Sequence, residues 1–244
     1  MLFSSMTFVF MFLPLVFTAY LLMPARFRNI LLLAASVLFY AWGEPRYVAI
    51  MLLTVLINWL GALLIVRFQK HKTFILTASI ITDLSFLFYF KYYNFVAVNI
   101  NAFAGADIPL LKVIMPIGIS FYTFQALSYV IDVYRGEVQA QHNLGHMLLY
   151  ISFFPQLIAG PIVKYRDIAA QITGRKETIQ KFSAGVMRFC WGLGKKVLLA
   201  NSFAEVVDDI FKYGPYAVSR KALWLGALLY MLQIYYDFSG YSDM

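Results

Sequence analysis

Asp83, Lys91, Asp132 and Asp237 stand inside otherwise apolar stretches of this 244-residue sequence. A charge at the centre of a bilayer costs about 2.5–3.5 kcal/mol on insertion scales, so such groups face a partner, a wet cavity or a function. Asp83 and Lys91 lie about two helical turns apart and could pair only through snorkelling or a third group. Asp132 precedes Arg135 by three residues, the spacing of a local helical ion pair. Asp237 has the richest surroundings, in Tyr235-Tyr236-Asp237-Phe238-Ser239-Gly240-Tyr241-Ser242-Asp243. Tyr236, Ser239 and Tyr241 are expected to supply donors to its carboxylate. The cluster reads as a hydrogen-bonded knot between helices or as part of a site wall. The histidines promise less. His142 and His146 are four apart, as two ligands on one helix face would be, but no third ligand is near, so no metal is expected. His71 sits in a basic loop. The G-x-S-x-G, Walker A, G-x-G-x-x-G and H-E-x-x-H signatures are absent.

These groups acquire meaning from the segments that carry them. The chain is 61% hydrophobic and 13% charged, against roughly 45–50% and 25% for an average soluble domain. A water-soluble globule of this composition would expose too much apolar surface. Cys190 is the only cysteine, so no internal disulfide is available. The net charge of +8 fits basic loops beside anionic headgroups, and with no nucleic-acid motif present nucleic acid is not an expected partner. Spanning helices need about 20 mostly apolar residues. Residues 1–25, 30–43, 47–66, 74–90, 113–133, 147–163 and 222–241 supply candidates, the fourth able to run on past Lys91. Residues 1–25 lack a basic leader and a cleavage site and read as a retained span. Continuous apolar runs, without alternation, point to helices and against a barrel. The expected fold is therefore all-α, a polytopic transmembrane helix bundle with re-entrant and interfacial helices, in one membrane domain over residues 1–244.

Loop charges give an orientation. With the first span running inward, the inside loops hold Arg26, Arg28, Arg67, Lys70, Lys72 and Arg135, and the outside loops hold Arg46, Lys91 and Lys112. The most basic stretch, from Lys164 to Lys196, falls inside only if residues 147–163 enter and return without crossing. Pro155 and Pro161, with Gly160, supply the break, because proline removes a helical hydrogen bond. A Pro-kinked ordinary span is the alternative. Ile179, Phe182, Val186, Phe189, Leu193 and Val197 form a narrow apolar stripe opposite Lys181, Arg188 and Lys195, the pattern of an interfacial helix. The amphipathic region is expected over about 165–212, with residues 204–212 as a second short surface element.

Several motifs in order carry a resemblance. They are Met1-Leu2-Phe3-Ser4-Ser5, Leu38-Phe39-Tyr40-Ala41-Trp42, Phe90-Lys91-Tyr92, Pro116-Ile117-Gly118-Ile119-Ser120-Phe121-Tyr122 and Ile131-Asp132-Val133-Tyr134-Arg135-Gly136. Ile158-Ala159-Gly160-Pro161, Gly194-Lys195-Lys196 and Tyr236-Asp237-Phe238-Ser239-Gly240-Tyr241-Ser242-Asp243-Met244 complete the set. Together they resemble the membrane-bound O-acyltransferase family, in its bacterial branch of alginate O-acetylation and teichoic-acid D-alanylation, with the alginate type most similar. The resemblance implies helices around a wet funnel through a thinned cytoplasmic membrane. An acyl donor, acetyl-CoA or an acyl carrier, arrives from the cytoplasm, with no bound cofactor. The acyl group, most often acetyl, goes to hydroxyls of an extracytoplasmic polysaccharide such as alginate. Membrane lipid and extracytoplasmic polysaccharide-modifying proteins are the implied partners.

In the family the catalytic histidine follows the Tyr-Asp-Phe-Ser-Gly-Tyr-Ser-Asp-Met motif, in a Trp-His-Gly motif. None of His71, His142 or His146 matches it. The chain is expected to be the N-terminal half of an acyltransferase, with no catalytic residue of its own. Pro116, Ser120, Tyr122, Pro155, Gln156, Pro161, Tyr236, Asp237, Ser239, Tyr241 and Asp243 are the candidates for lining or supporting the funnel. A transporter or channel, and a non-catalytic scaffold, are the rival readings; intramembrane carboxylates and a broken helix suit the former, but no inverted repeat is evident.

Overall fold

A computed structural model describes residues 4–157, 160–213 and 218–244; Met1 to Phe3 of the first motif, and Ile158 and Ala159 of the Gly-Pro motif, lie outside them. All regular elements among the described residues are helical. They are α1 (Leu13–Leu22), α2 (Arg28–Gly43), α3 (Val48–Arg67), α4 (Lys72–Leu87), α5 (Tyr93–Ala104), α6 (Ile119–Arg135), α7 (Leu144–Ser152), α8 (Tyr165–Gly174), α9 (Ile179–Gly194), α10 (Asn201–Lys212) and α11 (Arg220–Asp243). Among the described residues two helical runs are long and apolar enough to cross a membrane, Pro45–Arg67 and Gln69–Ala104. The second is α4 and α5 joined without a break through a π-helical turn, Phe88–Tyr92, so the fourth apolar segment does continue past Lys91.

The chain divides into two compact units. The bundle unit comprises Val16–Ile158 and Ile162–Arg175. Its core is α3 and α6 packed with α4 and α7, through fully buried Met51, Val55, Tyr122, Tyr129, Met147 and Ile151. The hairpin unit comprises Met1–Leu15, Ala159–Pro161 and Lys176–Met244. There α9, a π-helical turn (Lys195–Ala200) and α10 form one unbroken helix that packs against α11. Residues 204–212 are thus the end of a long helix, where a separate short element was expected. Asp208 and Asp209 are exposed along it and break nothing.

Two other expectations are corrected in the bundle. The segment 113–133 is helical only from Ile119, because buried Pro116 and left-handed Gly118 (φ +76°) hold the preceding residues out of the helix. Asp132 does not pair with Arg135. It is 3% exposed, turned into the bundle with one carboxylate oxygen unpartnered. Arg135, at the exposed helix end, instead approaches Glu137 at 3.9 Å.

The 147–163 run is broken where its prolines stand. The helical part, α7, has 9 residues, about 14 Å at 1.5 Å per residue. Its last carbonyls lose their ordinary partners and find others. The Tyr150 carbonyl accepts from Gln125 Nε2 at 3.2 Å and from Gln156 Nε2. The Phe154 N–H is taken by Ser36 Oγ at 3.2 Å. Phe154 and Leu157 are buried, so this irregular backbone is enclosed by protein.

One loop residue that the sequence did not single out ties these parts together. Gln141 donates from its backbone to Tyr129 Oη at 2.8 Å, and its carbonyl accepts from Trp59 Nε1 at 2.7 Å. Its side chain donates to Tyr165 Oη at 2.7 Å and accepts from the Asn143 N–H at 2.9 Å. Residues of α3, α6 and α8 meet on that one side chain and peptide. Each side-chain hydrogen bond is worth about 1 kcal/mol net. We therefore predict that Gln141→Ala destabilises the bundle by about 2 kcal/mol, read as a lower unfolding temperature in detergent. Exposed Gln171→Ala should leave that temperature unchanged, and equal behaviour of the two variants would contradict the assignment.

Candidate functional site

The hairpin unit gathers the motif around Asp237. Gly192 of α9 and Gly240 of α11 are both buried, and their backbones touch. A Cβ on Gly240 would lie 2.8 Å from the Gly192 carbonyl oxygen, and one on Gly192 would lie 2.5 Å from the Gly240 carbonyl oxygen. Only glycine permits this approach, which brings the helix face bearing Arg188, Lys195 and Lys196 against the face bearing Asp237, Ser239 and Asp243. Lys195 Nζ donates to Asp243 at 2.6 Å and to Ser239 Oγ at 3.1 Å. Arg188 Nε reaches Asp243 at 3.3 Å. Lys196 pairs with Asp237.

The donor to Asp237 is thus a lysine of another helix, where neighbouring hydroxyls were expected, and Ser239 serves Lys195. The Gly-Lys-Lys motif and the Tyr-Asp-Phe-Ser-Gly-Tyr-Ser-Asp motif are two sides of one contact. The hydrogen bond from Lys195 holds the Asp243 carboxyl below the usual aspartate range, and Arg188 adds to the effect. Asp237 differs in being 52% exposed at its side chain. An exposed pair of this kind contributes at most about 1 kcal/mol, so its carboxylate is available to solvent or a ligand. Tyr241 lies against Gly160, whose φ of +99° and missing Cβ admit the ring at 3.0 Å from the position a Cβ would take. Pro161 beside it is exposed, and Tyr236 stacks obliquely on Phe203 at 6.1 Å.

The other candidates belong to the bundle unit. Pro116 precedes α6, Ser120 lies on its first turn, and Tyr122 is fully buried with its ring edge-on to Tyr40 at 6.5 Å. Pro155 and Gln156 lie in the broken segment, Gln156 capping α7 as described. Deeper in the unit, Asp83 is fully buried and accepts from Asn58 Nδ2 at 3.0 Å. It therefore pairs with α3, and Lys91 is not its partner. Asp83 Oδ2, Asn58 Oδ1 and Thr123 Oγ1 are buried without hydrogen-bond partners. The histidines lie at or just before helix starts. His71 and His142 are exposed, and His146 stands in the first turn of α7, where its N–H is capped by Asn143 at 3.2 Å. Among the described residues no three metal-ligating side chains come together, and none of the candidates forms a nucleophile–base pair.

The comparisons decide the family. The membrane-bound O-acyltransferase (MBOAT) pattern matches residues 47–244. The chain belongs to that family. It is 42% identical over its whole length to the "Probable alginate O-acetylase AlgI" of Azotobacter vinelandii, covering 50% of that protein. It is 44% identical to the protein of the same name from Pseudomonas syringae pv. tomato, covering 48% of it. It is 32% identical to the peptidoglycan O-acetyltransferase of Helicobacter pylori, covering 53% of that chain. The chain thus spans about half the length of the curated relatives it matches. Within this membrane-bound family fold, the Gly192–Gly240 crossing lies in the matched region, as do both proline-bearing segments.

Two predictions test the crossing. Gly240→Ala must push one backbone off another, at a typical overpacking cost of about 1–3 kcal/mol. Gly185→Ala meets open space and should leave unfolding unchanged or raise its temperature. The second concerns pH. A carboxyl whose folded pKa is depressed contributes stability that is present above its unfolded pKa and lost as pH falls through the folded value. The α9–α11 contact should therefore loosen below about pH 4, the unfolded aspartate range. Asp243→Asn should remove that acid transition, whereas Asp237→Asn should leave it. Tryptophan fluorescence of Trp191, on α9, followed from pH 6 to pH 2 gives the readout.

Proposed function

We propose that this chain forms part of a multi-pass enzyme of the cytoplasmic membrane that transfers an acyl group, acetyl first among them, to hydroxyls of an extracytoplasmic polysaccharide such as alginate. The observation that carries the reading is likeness over the whole chain to O-acetylases of exported polysaccharides. The donor would be acetyl-CoA or an acyl carrier on the cytoplasmic side, and polysaccharide-modifying proteins would be its partners outside. The general base of the family is a histidine in the stretch of its members that these residues do not cover. The residues described here build walls and hold helices. Pro155 and Gln156 shape a segment that enters and returns, Pro116 and Gly118 set the start of α6, and the Asp243 cluster fixes α11 to α9. Asp237, exposed beside Lys196, is the side chain best placed to meet a substrate.

The bundle unit supports the orientation drawn from loop charges. Arg175 Nε donates to Tyr20 Oη at 2.6 Å, and its terminal nitrogen donates to Asn29 Oδ1 at 2.7 Å. Asn29 Nδ2 in turn donates to the Ile172 carbonyl at 2.9 Å. Arg166 lies 3.6 Å from Glu137, and Lys72 Nζ lies 4.8 Å from the centre of the Tyr134 ring. The basic segment 164–175 therefore lies on the same face of the bundle as Arg26, Arg28, Lys72 and Arg135. A membrane protein keeps such a face toward the cytoplasm. The length of α7, only half a membrane, supports the reading that this segment enters and returns without crossing.

Two measurements test the reading. Disrupting the gene should remove base-labile acetyl esters from the exported polysaccharide, and restoring it should return them. Unchanged esters together with lost uptake of a solute would favour a transporter. For topology, single cysteines at exposed Ala102 and Gln171 in a Cys190→Ser background would be labelled with an impermeant maleimide. Ala102 should react in intact cells and Gln171 only after permeabilisation; the reverse order would overturn the orientation.

A further inference from the structure

The helix Gln69–Ala104 carries a feature that acyl transfer does not use. Its 36 residues extend about 54 Å at 1.5 Å per residue, against about 30 Å of hydrocarbon. One end must therefore leave the apolar layer. Lys70, His71 and Lys72 fix its first end on the basic face. About 20 residues later, the length that fills the hydrocarbon, the helix has reached Lys91 and Tyr92. A second marker agrees with this placement. Tyr47, at the end of α3 opposite Arg67, packs edge to face on Phe90 at 5.8 Å, and its hydroxyl donates to the Ile114 carbonyl at 2.7 Å. Phe90 is thus level with the far end of α3, a run that is itself long enough to cross. Lys91 stands at that boundary with Tyr89, Tyr92 and Tyr93, the residue types that anchor helices at headgroup depth.

At this depth the helix makes its π-helical turn, and beside the turn lies a crevice of about 390 Å³. Leu84, Leu87, Phe88 and Phe124 form its apolar wall, and Lys91, Tyr92 and Ser120 complete the lining. Among the described residues no carboxylate pairs with Lys91. Its ammonium has only the Tyr92 ring, 5.5 Å to the centre. Among the described residues Ser120 makes no side-chain hydrogen bond. π-Turns of this kind are frequently found at functional sites.

We propose that this crevice binds one anionic phospholipid of the extracytoplasmic leaflet. Its phosphate accepts hydrogen bonds from Lys91 and Ser120, and an acyl chain lies along Leu84, Leu87, Phe88 and Phe124. An uncompensated ammonium at headgroup depth above an apolar channel complements a lipid with net negative charge. A zwitterionic headgroup would bring a second cation to the same place. The site rests on the multi-pass reading above and is independent of the acetyl-transfer chemistry.

The test uses the protein reconstituted in nanodiscs of equal phosphatidylglycerol and phosphatidylcholine, released for native mass spectrometry. One phosphatidylglycerol should be retained in preference to phosphatidylcholine. Lys91→Gln should lower that retention about tenfold, Lys91→Arg should keep it, and Lys70→Gln, in the opposite loop, should not change it. Leu84→Trp, which fills the channel, should lower retention of either lipid. Circular dichroism confirms that each variant is folded, and the Arg and Trp variants decide the matter where the Gln variant does not fold. Equal retention of the two lipids by the unaltered protein would overturn the proposal, as would unchanged retention in folded Lys91→Gln. Displacement of the lipid by millimolar inorganic phosphate would reassign the site to a free anion and also overturn it. Labelling of Ala102 only from the cytoplasmic side would sink the membrane orientation itself, a failure distinct from loss of lipid preference.

Discussion

Backbone polar groups in an apolar setting have no water to fall back on, and this constraint governs the bundle. Regular helices meet it internally. Where the chain departs from a helix, named side chains take over. Ser36 receives the Phe154 N–H, and Gln125 and Gln156 converge on the Tyr150 carbonyl. Gln141 uses its peptide and both ends of its side chain to hold the loop before α7. The short α7 and the irregular turn behind it exist because these donors and acceptors are in place. Asp83, Asn58 and Thr123 show the limit of the same rule, since each keeps a buried polar atom without a partner. Polar groups held at such a cost mark the interior of α3, α4 and α6 as more than apolar packing.

In the hairpin unit contact distance takes the leading part. Two glycines let α9 and α11 approach until backbone meets backbone. That closeness allows lysines of one helix to reach carboxylates of the other across a short gap. Charge and sterics reinforce each other: the ion pairs fix the register, and the glycines fix the spacing. Asp243, shared by Lys195 and Arg188, is the more enclosed carboxylate of the contact. Asp237 remains open, although its partner Lys196 is the more buried of the two lysines.

Much of this could be read from the sequence, and the failures have physical causes. Apolar runs located the helices, and Pro155 located the break. The start of α6 was misplaced because the apolarity of Val113, Ile114 and Met115 outweighs, by simple counting, the backbone demands of Pro116 and Gly118. The unbroken course of residues 179–212 was hidden because the narrow apolar stripe ends at Val197, and the π-helical turn there shifts the helix phase before α10. Asp132 was assigned a partner by spacing alone. Spacing cannot say which of two helix faces looks into the bundle and which looks toward Glu137. Gln141 carried no signal at all, because a glutamine in a polar loop looks ordinary until the elements around it converge. The pairing of Lys196 with Asp237 joins residues 41 apart, and no local pattern encodes it.

The π-helical turn at Lys195–Ala200 carries one residue more per turn than an α-helix closing on i−4. Its consequence is a phase offset. Each residue advances an α-helix by about 100°, so the extra one rotates α10 against α9 by that amount. Excision of one residue there would let the helix run on regularly with every hydrogen bond made. It would also swing buried Val207 away from its packing while Lys195 stayed in reach of Asp243. Length polymorphism at this turn would thus act as a rotary adjustment, changing which face α10 offers to α11 without altering the sequence of either helix.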